Sequence, residues 1–519
     1  MAGLVRHISL ATLCVAMTSV AYAETDALAL RYEIDLSSPA EALAAAIRDG
    51  ELTSETLVEA SLERIASLDQ DGPRHRSVLS LNPSALEEAR TLDTEAARGA
   101  YRGPLHGLPV LIKDSIETRE LPTTAGSPAL AANDTGRDAA VVARLRAQGA
   151  LVLGKTNLSE WSNFRSSDAP AGWSTLGGQT LNAVDTTVSP CGSSSGSAVA
   201  AALALAPLTI GVETNGSITS PAACNGVVGM KPTVGLVSQS GIVPISRSQD
   251  SAGPITRTVR DAALMLNAMV EADDAGQPVN FLAGIEDGVA GLRVGVFRWA
   301  EGRDPDVSTA FGRALLALEA IGAILVDVDS FRPAPVTWQR GGELLHIEFK
   351  ADLDAYLANA PEAVPVRSLA DLIEYNADHP TARRLDDDVL TKAASAPEID
   401  TPEYARIAAA IRTATGPEGI DALLTEHDID VLVMPAAPMP APLDGTGAEP
   451  EGPLIGATWL AAMAGYPALS VPMHTPADRL PVGMLITATA GDDARVLRVG
   501  RALEVALAPQ AGPALGAAP

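Results

Sequence analysis

Aromatic side chains make up only 3% of the 519 residues, although 47% of the residues are hydrophobic. A core built mainly from Ala, Val, Leu and Ile is therefore expected. Lysine and arginine are also scarce, with 37 against 64 Asp and Glu, which gives a formal net charge of −27 at pH 7. A surface this acidic repels nucleic-acid phosphates and anionic lipids. We therefore expect neither a nucleic-acid partner nor a membrane partner.

Long uncharged apolar runs are missing from the sequence beyond its N-terminus. Residues 1–23 have the pattern of a signal peptide, in which Arg6 precedes an apolar run that closes with the small-x-small sequence Ala21-Tyr22-Ala23. This run is too short to span a bilayer comfortably. The pattern predicts cleavage before Glu24 and export to the periplasm or the medium.

Cysteine is rare, and only Cys191 and Cys224 remain after the predicted cleavage. The sequence has no CxxC motif and no cluster of Cys and His, so we do not expect a metal site. An exported protein can pair its cysteines, but the sequence does not show whether these two lie within bonding distance. Their pairing stays open at this stage.

Apolar periodicity predicts helices and short strands along the chain. Helical spacing dominates residues 36–100. Strands are expected at 108–112, 150–153, 208–212, 292–297, 324–328 and 430–434, with helices between them at 139–149, 197–206 and 306–321. This alternation predicts an α/β domain over residues 24–508 with a largely buried sheet. Within it, residues about 330–428 form a more polar helical excursion, and residues 509–519 are expected to be a flexible tail.

The most unusual stretch is residues 189–233, in which two loops rich in Ser and Gly flank an Ala-rich helix and an apolar strand. A flexible Ser/Gly linker does not carry such apolar elements. Serine is a poor nucleophile until a base removes its proton, so the base has to be found. Gly192–Gly196 matches the GxSxG motif of hydrolases that use histidine, but a loop ending in Pro190 precedes it where a buried strand is required.

Lysine is the other candidate for the base. Lys113 ends the apolar run 108–112, and burial would lower its pKa by disfavouring the ammonium form. On composition alone, however, a single lysine beside a strand is more readily explained as a surface charge. The residues around Lys113 do not decide between these two interpretations.

A resemblance to a known family favours the buried base. The segments His106–Asp114, Gly192–Ser197, Thr214–Ser217 and Gly229–Thr233 are similar to the conserved motifs of the amidase-signature family of serine amidohydrolases. The similarity extends over residues 36–505. It implies the amidase-signature fold of the α/β class, a single large domain with a central mixed β-sheet covered by helices on both faces.

The same resemblance implies the roles of individual residues. Lys113 corresponds to the base, Ser193 to a proton relay and Ser217 to the nucleophile. A cis peptide bond is expected between Gly192 and Ser193, and no metal or organic cofactor is required. The oxyanion is expected to be bound by backbone N–H groups of Thr214, Asn215, Gly216 and Ser217.

Two departures from the family pattern bear on the substrate. Asn215 occupies a position that is often glycine, and Thr219 and Ser220 occupy positions where many members carry an arginine that contacts a substrate carboxylate. Loss of this cation favours a neutral amide. The segments 163–167 and 235–238, together with Asn215-Gly216-Ser217, are most similar to bacterial peptide amidases and aryl-acylamidases.

We therefore expect an amidase that releases ammonia from a small or short-peptide amide, with anilide cleavage as the alternative. An amidotransferase glutaminase subunit would need partner subunits in the cytosol, which the signal peptide disfavours. A catalytically silent binding protein of the same fold would be expected to have lost Lys113, Ser193 or Ser217, and all three are present. The sequence does not indicate an oligomeric state.

Overall fold

The computed structural model describes residues 34–271, 279–381, 385–444, 456–473 and 480–508. The predicted signal peptide, residues 1–23, and the predicted tail, residues 509–519, lie outside the described residues. No helix within the described ranges is both long and apolar enough to cross a membrane.

Strands and helices alternate through most of these ranges. The strands are β1 Val78–Leu81, β2 Pro109–Lys113, β3 Leu151–Thr156, β4 Trp173–Ser174, β5 Gly178–Gln179, β6 Leu208–Glu213, β7 Val228–Lys231, β8 Ser251–Thr256, β9 Arg293–Val296, β10 Ile324–Asp327, β11 Val431–Pro435, β12 Ala468–Met473 and β13 Val482–Thr487. The α-helices are α1 Ala40–Asp49, α2 Ser54–Arg64, α3 Ala85–Ala96, α4 Ala140–Ala147, α5 Ser195–Ala202, α6 Thr219–Asn225, α7 Val259–Met269, α8 Pro305–Ala320, α9 Pro335–Ala358, α10 Leu369–Asp378, α11 Asp388–Ala394, α12 Pro402–Thr415, α13 Asp421–Glu426, α14 Thr458–Ala464 and α15 Asp493–Leu507.

Eleven of the strands form one sheet in the order β1-β3-β2-β6-β8-β7-β12-β13-β11-β9-β10. Strand β2 lies parallel to both β3 and β6. Strand β8 runs antiparallel to β6 and β7, and β13 runs antiparallel to β12 and β11. The sheet is therefore mixed, as the family resemblance implies.

Both faces of the sheet are covered by apolar packing. Val110 and Ile112 of β2 belong to a large cluster that includes residues of α7, α8 and α15, whereas Leu111 between them packs in a separate cluster with residues of α2 and α3. Alternate strand residues point to opposite faces, so the two clusters lie on opposite sides of the sheet. The predicted fold class, a single α/β domain with helices on both faces of a central sheet, is confirmed.

The predicted strands correspond to β2, β3, β6, β9, β10 and β11, with ends that differ by a few residues. Residues 36–100, which are predicted to be mainly helical, also contain β1 at Val78–Leu81, which pairs antiparallel with β3. The extended form of these four residues is fixed by pairing with a strand about 75 residues further along the chain. Such long-range pairing leaves little local signal.

The excursion over residues 330–428 contains helices α9 to α13. Phe349 and Leu353 of α9 pack in one cluster with Trp161 and Ile245, which belong to loops of the sheet domain. This packing fixes α9 over the loops at the carboxyl ends of β3 and β7, and those loops border the cavity described next.

Candidate active site

Lys113 is the last residue of β2, which lies between β3 and β6 in the sheet, and its side chain is fully buried. Its Nζ donates hydrogen bonds to Ser193 Oγ at 2.8 Å and to the Val212 carbonyl oxygen at 3.0 Å. Burial lowers the pKa of Lys113 to about 7, against the opposing charges of Asp250 and Glu213. A neutral lysine amine is therefore available near neutral pH, as a catalytic base at this position requires.

Ser193 precedes α5 and follows a cis peptide bond from Gly192, so the predicted cis bond is confirmed. The Ser193 carbonyl oxygen accepts a hydrogen bond from the backbone N–H of Ser159 at 3.1 Å. A Cβ atom on Gly192 would lie 2.5 Å from Ser159 Oγ, so a larger residue here would have to displace the Ser159 side chain. The close approach holds the Ser193 loop against the loop that follows β3.

Ser217 lies in the loop between β6 and α6, and its carbonyl oxygen accepts a hydrogen bond from the backbone N–H of Ser194 at 3.0 Å. The Glu213 carboxylate accepts from the backbone N–H groups of Ile218 at 2.7 Å and Thr219 at 2.8 Å. These bonds brace the Ser217 loop at both ends. Gly216 at its centre has φ of +76°, a conformation that favours glycine.

The backbone N–H groups predicted to bind the oxyanion remain available for a ligand. Within the described ranges the structure shows no hydrogen-bond acceptor for the N–H groups of Thr214, Asn215, Gly216 and Ser217. Thr214, Gly216 and Ser217 are buried residues, and buried donors without acceptors are uncommon in folded proteins. Their concentration in one short loop fits a site that binds a negatively charged oxygen.

Cys191 and Cys224 form a disulfide, with their Cα atoms 6.2 Å apart. Cys191 lies two residues before Ser193, and Cys224 lies in the helix that begins two residues after Ser217. The bond therefore ties together the two segments that carry the hydroxyls of the site. This answers the pairing question that the sequence left open.

A cavity of about 230 Å³ opens at these two loops. None of its lining residues is charged. They are Ser162, Asn163, Phe164, Ala171, Gly192, Ser193, Thr214, Asn215, Ser217, Ile245 and Leu345. The structure thus brings Ser193, Ser217 and part of the predicted oxyanion loop to one cavity, and Lys113 contacts Ser193 from the buried side. Over the described residues, no group of three or more His, Cys, Asp or Glu side chains could hold a metal ion.

Asp250 is a site residue that sequence reasoning missed. Its carboxylate accepts hydrogen bonds from Thr214 Oγ1 at 2.5 Å and from the backbone N–H groups of Ile245 at 2.8 Å and Ser246 at 2.9 Å. Burial raises the pKa of Asp250 to about 6. It connects the Thr214–Ser217 loop to the cavity wall at Ile245. The sequence around Asp250 gives no local signal of this contact, because β8 directly after it is a short strand of mostly small and polar residues.

Comparison with known proteins agrees with this geometry. A family model described as Amidase matches residues 56–497. The structure is similar to the native peptide amidase of Stenotrophomonas maltophilia, with a TM-score of 0.84 and 42% identity over 92% of this chain and 97% of that chain. A structure of the peptide amidase in complex with the competitive inhibitor chymostatin gives 0.83 and 43%, over 91% and 97% of the two chains.

The curated relatives include both amidases and amidotransferase subunits. A probable amidase of Arabidopsis thaliana is 35% identical over 489 residues, covering 90% of this chain and 89% of its own. One component of the glutamyl-tRNA(Gln) amidotransferase of Acidothermus cellulolyticus is 36% identical over 505 residues, covering 91% and 94%. The chain therefore belongs to the amidase family of hydrolases.

Proposed function

We propose that this amidase hydrolyses neutral carboxamides, chiefly the C-terminal amides of peptides, and releases ammonia. The observation that carries the proposal is the buried hydrogen bond from Lys113 Nζ to Ser193 Oγ, next to an uncharged cavity that also exposes Ser217. A base, a relay hydroxyl and a second hydroxyl at the substrate surface are the parts that an acyl-enzyme mechanism needs.

In the first half of the reaction, neutral Lys113 accepts the proton of Ser193, and Ser193 accepts the proton of Ser217. The Ser217 oxygen forms a bond to the amide carbon, and the carbonyl oxygen becomes an oxyanion. The free N–H groups of the Thr214–Ser217 loop bind this oxyanion. One such donor typically contributes about 3–4 kcal/mol to transition-state stabilisation.

The proton held by the relay then passes to the leaving nitrogen as the C–N bond breaks, and ammonia departs while Ser217 stays acylated. The second half of the reaction is hydrolysis of this ester. Water then gives a proton to the relay and attacks the ester carbon of the acylated Ser217. Breakdown of the second tetrahedral intermediate releases a carboxylic acid and restores the Ser217 hydroxyl. Each proton moves between the substrate, water, Ser217, Ser193 and Lys113.

The preference for a neutral substrate rests on the cavity and on α6. No cationic side chain lines the cavity to pair with a substrate carboxylate. Thr219, at one of the positions where relatives carry arginine, instead donates from its hydroxyl to Glu213 at 3.1 Å. Similarity to solved peptide amidases at 42–43% identity supports the choice of peptide amides among neutral substrates.

We also propose that the protein is exported. The signal-peptide pattern of residues 1–23 is the first support. The Cys191–Cys224 disulfide is the second, because disulfides persist mainly in oxidising compartments such as the periplasm and the extracellular space.

The test of the activity is to measure ammonia release from a short C-terminally amidated peptide beside aniline release from an acylated anilide. We expect ammonia from the peptide with the wild-type enzyme and none with Ser217→Ala. Strong anilide turnover with an inert peptide would transfer the assignment to aryl-acylamidase. Ammonia release that persists unchanged in Ser217→Ala would refute the catalytic assignment.

A further inference from the structure

Helix α9 presents an unusual face beside the catalytic cavity. Trp338, Gly342 and Leu345 are spaced four and three residues apart, so they lie on one side of the helix. Leu345 lines the cavity. Gly342 and Trp338 lie about one and two helical turns before it on the same side of α9. Trp338 is 52% exposed, one of the largest exposed apolar side chains in the described part of the chain.

At Gly342, between Leu345 and Trp338, this face of the helix carries no side chain. A Cβ atom built at Gly342 meets no atom within 4 Å, whereas one at its neighbour Gly341 would lie 2.8 Å from Met463 Cε of α14. Gly341 therefore serves the close packing of α9 on α14, but no packing contact accounts for Gly342. Glycine is unfavourable inside a helix, and at position 342 it leaves the surface between Leu345 and Trp338 without a side chain.

The outer end of the face is a cluster of aromatic rings, which are otherwise rare in this chain. The ring centroid of Trp338 lies 4.6 Å from that of Trp459, and Trp459 in turn lies 6.4 Å from Phe331 and 6.5 Å from Trp299. Trp459 follows Thr458, whose Oγ1 donates to Asn215 Oδ1 at 3.0 Å. The cluster is thus fixed to the same loop that carries the nucleophile.

The charges next to this face are paired with one another. Arg340 donates to Glu343 at 3.0 Å and to Glu403 at 2.7 Å. The surface from Leu345 to Trp338 therefore offers apolar and aromatic contacts with no unpaired charge on its α9 flank. An apolar occupant fits it better than an ionic one.

We propose that Leu345, Gly342, Trp338 and the adjoining Trp459 form a groove for the acyl part of a peptide amide, and that an aromatic or large apolar side chain of the substrate packs on Trp338. This inference rests on the proposed function and names its preferred substrates. Leu345 and Trp338 are seven positions apart in the helix, a distance of about 10 Å along its axis. An extended peptide rises by about 3.3–3.6 Å per residue, so the side chain belongs about three residues before the one that bears the carboxamide.

The test compares blocked alanine tetrapeptide amides in which one Trp is moved from the first to the third position, beside acetylalanine amide as a short substrate. For the wild-type enzyme we expect kcat/KM for ammonia release to be highest with Trp at the first position, about three- to tenfold above the all-alanine peptide. In Trp338→Ala this preference should fall to about one. Gly342→Leu places a large side chain in the middle of the groove. In this variant the ratio of kcat/KM for the tetrapeptide amide to kcat/KM for acetylalanine amide should also fall.

Leu316→Ala, which removes an exposed apolar side chain from the distant helix α8, is the matched control and should keep the wild-type preference. The thermal midpoint of each variant shows that it is folded. Equal kcat/KM for all tetrapeptides, or a preference that survives in Trp338→Ala, would overturn the groove while leaving the peptide amidase assignment intact. Absence of ammonia release from every peptide amide, with Ser217-dependent anilide turnover, would overturn both.

Discussion

The chemistry at the residue scale depends on the balance of two effects on Lys113. Complete burial at the end of β2 disfavours its ammonium form, whereas the negative charges of Asp250 and Glu213 favour it. Because burial is the larger effect, the pKa of Lys113 falls to about 7 and no further. A base with a pKa near the working pH accepts a proton readily and is still able to return it to the leaving group.

This balance predicts the pH dependence of the reaction. The amine must be neutral to act as a base, so kcat/KM should rise with pH through about 7. Asp250→Asn removes a charge that raises the pKa of Lys113, so the midpoint of this rise should move to lower pH. The measurement is kcat/KM for ammonia release between about pH 5 and 9 for the two enzymes.

Asp493→Asn provides the matched control. Asp493 is equally buried and accepts a hydrogen bond from Thr233 Oγ1 at 2.5 Å, but its charge acts on Lys231 and not on Lys113. This variant should keep the wild-type midpoint. A midpoint that stays in place in Asp250→Asn, or moves to higher pH, would contradict the assignment of the rise to Lys113.

At the scale of elements, the site depends on how two loops from different parts of the chain are positioned relative to each other. The Ser193 loop precedes α5, and the Ser217 loop follows β6. They are held together by the Ser194–Ser217 backbone hydrogen bond and by the disulfide between Cys191 and Cys224. Catalysis requires reacting groups to be held within fractions of an ångström, so the covalent link should matter for rate as well as for stability.

The double variant Cys191→Ser, Cys224→Ser tests this link. The two cysteines are 33 residues apart, and a cross-link closing a loop of that size stabilises a protein by about 3–4 kcal/mol through the unfolded state. We expect the free energy of unfolding to fall by an amount of this order and kcat to fall while the fold is retained. Denaturant unfolding and steady-state kinetics below the transition provide the two measurements.

Reduction of the wild-type protein should reproduce both losses, and it should have no further effect on the double variant. Full activity and unchanged stability in the double variant would show that backbone hydrogen bonds alone hold the two loops in register.

The elements also show where sequence reasoning succeeds and where it stops. Strands such as β2 and β6 are continuous apolar runs, and their local pattern is enough to predict them. Strands β8 and β12 contain Pro254 and Pro472, residues that usually argue against a strand, and only the surrounding sheet makes them extended.

Prediction of the site followed the same division. Lys113, Ser193 and Ser217 could be proposed from the sequence because contiguous motifs carry them. The contact of Asp250 with Thr214 joins residues 36 positions apart, and the aromatic cluster joins residues of α9 and α14 that are more than 100 positions apart. No local pattern encodes either juxtaposition.

At the scale of the whole molecule, the disulfide fits the proposed export of the enzyme. Loss of residues 1–23 would remove one Arg and no acid, which leaves a mature chain with a net charge of −28. When the full chain is expressed in a bacterium with a working secretion pathway, we expect the active protein outside the cytoplasm. Its mass should correspond to a chain that begins at Glu24 and carries one disulfide.

Fractionation of the cells locates the protein. The intact mass, measured before and after reduction, identifies the first residue of the chain and the disulfide. The variant Ala21→Arg, Ala23→Arg alters the small-x-small site and should accumulate as the uncleaved chain. An uncleaved wild-type chain that stays in the cytoplasm with both thiols free would contradict the export proposal.

The proposed mechanism depends on Ser217 being the residue that becomes acylated. Direct identification of the modified residue is the sharpest test of this role. The enzyme would be treated with a serine-directed fluorophosphonate, digested and mapped by mass spectrometry, beside Ser217→Ala, Ser193→Ala and Lys113→Ala. We predict one adduct on Ser217 in the wild-type protein, no adduct in Ser217→Ala and much slower labelling in the other two variants. An adduct on a different residue, or labelling of Ser217 at the wild-type rate without Lys113, would contradict the proposed mechanism.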